Sequence, residues 1–312
     1  MSESRASVRY VRRSLGIVVV AFAAALWGLD ALIRGPLAST TTPATIVFGE
    51  HLVLVVLTLP LAAGALAAVF RLGWRYILAA VAIGAGASAV ATILFTEALF
   101  THNDFVTPVV LQKIQPVFAV LGAIVVLDER PGRRYAPYFV AALLGAWFMG
   151  VPHPFHPEAH GLATMSYALG AALLWGLGTV FGRYLARDLR FEHVTTLRFV
   201  FGLPASAIAL LVLGVPAFAS WHDSFWIAIL ALVTGLAAMF LYYYGLRSTP
   251  AVAATLAELA FPITAVLVGY FKFGQTLTGW QWFGVALTST IVALLPARPQ
   301  DVAAPVPAPV PA

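Results

Sequence analysis

The side chains best suited to chemistry in this sequence are charged or amide groups set inside long apolar runs. "LQKIQP" (Leu111–Pro116) puts Gln112, Lys113, Gln115 and Pro116 close together in a run long enough to cross a bilayer. Glu258 lies between Thr255 and Pro262 in a second run, Glu50 and His51 lie in a third, and Arg198 lies in a fourth. A charge at the bilayer centre costs about 2.5–3.5 kcal/mol on insertion scales, so each needs a partner, a watery cavity or a short path to the interface. Groups so placed bind ionic or polar parts of a ligand, or carry protons. They do not form a catalytic set: no H-E-x-x-H, G-x-S-x-G or P-loop pattern occurs, and isolated charges in separate helices make no nucleophile–base pair.

Each candidate has a plain structural reading beside its functional one. Lys113 lies roughly 10 Å below one boundary of its span, where its stem can snorkel outward. Gln112, Gln115 and Pro116 nevertheless share a helix face, and a polar patch beside a proline kink reads as the lining of a cavity. Glu258, near the second kink at Pro262, can neutralise a cation, carry a proton or pair with Arg198. Glu50 and His51 lie six or seven residues into the second span and Arg198 holds the corresponding place in the seventh, which suits an asymmetric, zwitterionic cargo and also a structural ion pair. Asp30 and Arg34, spaced i, i+4, read as a local salt bridge, with an external gate as the alternative. Glu129 in "LDERPGRRY" reads as an interfacial ion-pair lock. Trp27 and Trp175 can stack on a substrate ring or simply pack. Tyr242, Tyr243 and Tyr244 read as an aromatic belt, and Gly178 with Gly182 as a close-packing G-x-x-x-G. His153, His156, Glu158 and His160 in "VPHPFHPEAHG" have ligand chemistry but sit in a proline-rich loop, so no metal or cofactor is expected.

The elements that must position these residues are helices. The chain of 312 residues is 61% hydrophobic and 10% charged, with mean hydropathy +0.91 and no cysteine. A soluble fold could not hide that much apolar surface. Long unbroken runs, rather than two-residue alternation, indicate helices and not a barrel. Ten spans are expected, at about 14–34, 44–69, 76–99, 106–127, 136–151, 163–183, 193–213, 223–246, 251–272 and 279–295. With the N-terminus inside, fourteen arginines fall on inner segments (Arg5, Arg9, Arg12, Arg13, Arg71, Arg75, Arg130, Arg133, Arg134, Arg183, Arg187, Arg190, Arg247 and Arg298), against two outer basic residues, Arg34 and Lys272. That bias puts both termini in the cytoplasm. The net charge of +5 is therefore a topology signal and not a nucleic-acid one. A cleavable signal peptide is the competing reading of the first span, but its removal would spoil the repeat that follows.

"LWGL" occurs at Leu26–Leu29 and at Leu174–Leu177. "LQKIQPVFAVL" (Leu111–Leu121) is placed like "AELAFPITAVL" (Ala257–Leu267), and "LDERPG" (Leu127–Gly132) like "FGQTLTG" (Phe273–Gly279), all at an offset of about 146 to 148 residues. Five spans separate the copies, and an odd number inverts the second copy in the membrane, the arrangement of many secondary transporters. The expected organisation is a cytoplasmic tail at 1–13, a five-helix repeat at 14–151, a linker at 152–162, an inverted repeat at 163–295 and a Pro/Ala-rich disordered tail at 296–312.

Together these spans, "ALWGL", "LQKIQPVFAVLGAIVVLDERP" and "AELAFPITAVL" resemble the EamA-like branch of the drug/metabolite transporter superfamily over about residues 14–295. Gln275 stands where the resemblance leads one to expect a second glutamate. The resemblance implies a ten-helix carrier of the bacterial inner membrane, a monomer or homodimer whose partners are a small-molecule substrate and the lipid bilayer. The expected function is export or exchange of amino acids or related amphoteric metabolites by alternating access. A membrane-embedded enzyme and a sensor or assembly protein are the alternatives.

Overall fold

The computed structural model describes residues 2–37, 39–100, 111–151, 153–155 and 162–295. His156, Glu158, His160, the start of the fourth expected span and the 296–312 tail lie outside the described residues. The described chain is helical throughout. In order the segments are α1 (Arg13–Leu37), α2 (Pro43–Leu72), α3 (Trp74–Leu99), α4 (Gln115–Leu127), α5 (Tyr135–Gly150), α6 (Leu162–Leu185), α7 (Phe191–Leu213), α8 (Trp221–Leu246), α9 (Ala251–Phe273) and α10 (Gly279–Leu294). Seven of them, α1–α3 and α6–α9, are long and apolar enough to cross a membrane by length and composition. The helix entering α1 begins at Ser2, well before the expected start at 14, because no glycine or proline interrupts the chain until Gly16.

Local chemistry sets the ends. Thr42, Ser220 and Thr278 cap the starts of α2, α8 and α10 by accepting backbone N–H groups through their side chains, satisfying donors a helix start leaves free. α4 and α9 both end in a left-handed residue, Asp128 (φ 51°) and Gly274 (φ 65°). The next N–H in each case returns six residues, Glu129 to Ala123 and Gln275 to Gly269, both at 3.1 Å. Large apolar side chains remain on the outside, among them Leu211, Val125 and Phe271, as a lipid-facing surface requires.

Several segments are interrupted. α1 breaks at Gly28–Leu29, the chain entering α4 breaks at Lys113–Ile114, and α9 breaks at Glu258–Leu259. Pro116 and Pro262 were expected to kink continuous helices. Instead each lies in the first turn of a helix that starts afresh after the break, where a missing N–H and a fixed φ cost nothing. α3 and α8 contain wider π-helical turns, Ala82–Val90 and Ala231–Ala237.

α1 packs on α8 and α9, and α6 packs on α3 and α4, while α2 meets α7 and α5 meets α10. The two "LWGL" glycines explain two of the close approaches. A Cβ on Gly28 would meet the Phe261 carbonyl and Ala265 nitrogen of α9, and one on Gly176 would meet the Gln115 carbonyl and Ala119 nitrogen, at 2.8–3.0 Å. Only hydrogen fits at either position. Gly178 likewise lies against Ala87, and Gly182 against Tyr243.

Candidate functional site

A cavity of about 200 Å³ lies among α1–α4 and α6–α9, and neither α5 nor α10 reaches it. Both π-helical turns open onto it, through Ala87 and Ser88 and through Thr234 and Gly235. Such turns recur at functional sites, and nothing in the residue pattern announced them.

Its walls carry two matching aromatic contacts. The Trp27 ring lies 5.1 Å from Tyr242, and the Trp175 ring lies 5.1 Å from Phe95. Phe199 and Phe261 add further apolar wall. Trp27 Nε1 is buried and has no hydrogen-bond partner among the described residues. The tryptophans were expected here. Phe95, Phe199 and Phe261 were not, since a phenylalanine in an apolar span carries no sign of which way it faces.

Glu258 is the centre of the polar wall. Its Oε1 accepts from Tyr242 Oη at 2.7 Å and Thr179 Oγ1 at 2.9 Å, and its Oε2 accepts from Gln115 Nε2 at 2.7 Å. Gln112 donates in turn to Gln115 Oε1 at 2.8 Å. Helices α4, α6, α8 and α9 are thereby tied at one carboxylate. An ion pair of Glu258 with Arg198 does not form among the described residues; hydroxyl and amide donors take its place. Tyr242 and Tyr243 correct the aromatic-belt expectation, for both are buried. Three consecutive residues point in three directions around a helix, so one face cannot hold them all, and only the outermost, Tyr244, meets Phe191 edge to face.

Arg198 is 7% exposed. It donates to the Ala87 carbonyl at 3.1 Å and the Tyr243 hydroxyl at 3.3 Å. Its Nε has no partner among the described residues, so a buried cation on the cavity wall is left with donor capacity. His51 holds Nδ1 2.7 Å from the Val47 carbonyl and Nε2 3.0 Å from Ser88 Oγ. A carbonyl only accepts, so Nδ1 bears the proton, and in the neutral ring Nε2 accepts from Ser88.

Glu50 is not a free acid opposite Arg198. Arg34 donates to both of its oxygens at 3.1 and 3.2 Å, and to Asp30 at 2.6 and 3.1 Å. The local Asp30–Arg34 bridge exists as expected, with Glu50 as a third member.

Lys113 lies beside the cavity and not on it. It is buried, its Nζ is 5.4 Å from the Phe261 ring centre, and it lines a separate void of about 20 Å³ with Pro116, Thr255 and Pro262. Glu129 is buried too. Its Oε1 accepts from Arg187 at 3.1 Å and Arg183 at 3.3 Å, and its Oε2 accepts from the Ala251 N–H at 2.6 Å. The lock uses Arg183 at the end of α6 and Arg187 just beyond it, and among the described ion pairs not the sequence neighbours Arg130, Arg133 and Arg134. Among the described residues no cluster of three or more metal-ligating side chains occurs.

The EamA-like transporter family model matches residues 162–295. The chain is 30% identical over 280 residues to the riboflavin transporter ImpX of Fusobacterium nucleatum, covering 84% of this chain and 91% of that one. It is 28% identical over 218 residues to a riboflavin transporter of Rhizobium johnstonii, covering 68% and 65% of the two chains. With the uncharacterized transporter YwfM of Bacillus subtilis it shares 27% identity over 220 residues, covering 66% and 69%. A protein of known crystal structure superposes with a TM-score of 0.67 at 17% identity, over 91% of this chain and 98% of that one, which shows a shared fold.

Proposed function

The chain belongs to the EamA-like transporter family of the drug/metabolite transporter superfamily, and from that premise we propose that it is a secondary carrier of riboflavin or a closely related flavin. The observation that carries this reading is the aromatic cavity, with Trp27 against Tyr242 on one side and Trp175 against Phe95 on another. A flavin ring is flat, tricyclic and rich in carbonyl and ring-nitrogen acceptors, and its sugar-alcohol chain carries several hydroxyls. Aromatic side chains supply stacking surface worth about 0.5–1.5 kcal/mol per pair. Arg198 and Gln115 supply donors, and Glu258 and His51 supply further polar contacts. Two of the relatives are named as riboflavin transporters.

Charge balance is compatible with the same cargo. The half-buried Asp30 and the buried Glu50 and Glu258 are matched in number by Arg34, Arg198 and Lys113, which suits a substrate of no net charge. The amino-acid cargo expected earlier loses its footing, because Glu50 is already committed to Arg34 and none of these relatives is named for amino acids.

The proposed architecture is ten membrane helices in two inverted sets of five, with both termini in the cytoplasm of a bacterial inner membrane. The paired packing of α1 on α8 and α9, and of α6 on α3 and α4, supports it. So do the matching glycines and π-helical turns, and the one-sided arginines. Alternating access would rock the two sets about the cavity.

The test is flavin binding and counterflow with purified protein in proteoliposomes. Riboflavin fluorescence should be quenched on binding, and external label should exchange with internal riboflavin. Trp27→Ala and Trp175→Ala should each weaken binding by roughly three- to tenfold. A wild-type protein that neither quenches nor exchanges riboflavin overturns the cargo.

A further inference from the structure

The void of about 20 Å³ beside the cavity is large enough for one water, which needs roughly 10–15 Å³. Glu258 belongs to both spaces. The void sits where the two interrupted helices meet, with Lys113 at one break and Glu258 at the other. Two polar atoms on its wall, Lys113 Nζ and Thr255 Oγ1, are buried and have no hydrogen-bond partner among the described residues. The face of Phe261 offers the ammonium an electrostatic contact but accepts none of its hydrogen bonds in the usual sense. An orphaned buried polar group calls for a missing water or ion. A carboxylate on the same wall disfavours an anion, and the ammonium disfavours a cation, so water fits best. Glu258 has room for it. Its two oxygens accept three hydrogen bonds, and an ionised carboxylate has about four acceptor sites.

We propose that one water in this void bridges Lys113 Nζ and Glu258, making them a proton-carrying pair that couples the carrier's cycle to proton movement. This coupling rests on the carrier reading above; the pair itself does not depend on the cargo. In the resting form Lys113 is an ammonium, the water accepts one of its hydrogens, and the water donates to the Glu258 carboxylate. A proton arriving from the cavity adds to a Glu258 oxygen, giving a neutral carboxyl while Lys113 keeps its charge. Release reverses the step and returns the proton to the cavity.

Protonation has a mechanical consequence. A proton added to Oε1 must weaken the hold of Tyr242 or Thr179, which already fill its two acceptor sites, and one added to Oε2 displaces the water or Gln115. Those three side chains join α8, α6 and α4 to α9. Occupancy of the Oε1 proton site therefore loosens contacts that bind helices around the cavity. The other charged or titratable groups facing the pair are Tyr242, Tyr243 and Arg198.

The experiment is an infrared pH titration of the purified protein in lipid nanodiscs, without flavin. The wild type should show a protonated-carboxyl band that titrates, that is missing in Glu258→Gln, and whose midpoint moves by about one pH unit in Lys113→Met. Thr255→Val keeps both titratable groups and removes a ligand of the water; its midpoint should move by less, and it carries the test if Lys113→Met does not fold. A wild type with no such band, or a midpoint unmoved in every folded variant, overturns the pair. Riboflavin counterflow without a pH gradient decides the cargo separately, and in a counterflow-active protein an imposed pH gradient that drives no net accumulation overturns the coupling.

Discussion

Two partly buried ionic clusters occupy opposite ends of the helices and are built in opposite ways. Near the end of α1, one arginine, Arg34, is shared by two carboxylates, Asp30 and Glu50. Beyond the end of α4, one carboxylate, Glu129, is shared by two arginines, Arg183 and Arg187, and by the first N–H of α9. The first cluster joins residues 4 and 16 positions apart in sequence. The second joins residues 54, 58 and 122 positions apart. Asp30, Arg34 and Glu50 brace neighbouring helices, so they can stay together while the two halves of the chain move. Glu129 ties the first half to the second, and that tie must break if the halves separate at that end. A gate, which was only the alternative reading of the Asp30–Arg34 bridge, thus fits Glu129 better.

Mutation can break this comparison, and the largest effect is expected at Glu129. Glu129→Gln leaves Arg183 and Arg187 with no carboxylate and should lower stability by about 3–5 kcal/mol, read as thermal unfolding in nanodiscs. Glu50→Gln should cost less, about 1.5–3 kcal/mol, because Asp30 still holds Arg34; a loss equal to that of Glu129→Gln would mean that Asp30 gives no such support. The smallest effect sharpens the repeat itself. Gln275 occupies the place of Glu129 in the second half but is exposed, so Gln275→Glu should change stability by no more than about 0.5 kcal/mol. A larger cost would show that Gln275 has a buried role.

The Glu129–Gln275 pair also shows how far the repeat was legible. Its backbone half was: the offset of 146 predicted equivalent positions, and both carry the same left-handed cap and the same N–H return. Its side-chain half was not. Glu129 reaches α6 and α9, whose distance from it is invisible in the residue order. Lys113 teaches the same point in reverse. The polar patch around it was expected to line the cavity; Gln112 and Gln115 do reach its wall, but Lys113, at the helix break Lys113–Ile114, lines a side void instead. Tyr242 and Thr179 were missed because a tyrosine near a helix end and a threonine in an apolar span have many commoner uses than holding a carboxylate.

The residue order by itself determined the helical class, the approximate segments, a set of matching landmarks at one offset and the short set of polar residues that had to be accounted for. Those properties follow from local rules: apolar run length, glycine and proline breaks, and the cost of stranding a charge in lipid. Only the tertiary structure decided which acid met which base, that Trp27 and Trp175 found matching aromatic partners, and that Glu258 stood between two cavities. Pairing depends on helix rotation and close approach, which many residues set together through packing, and no single segment encodes it.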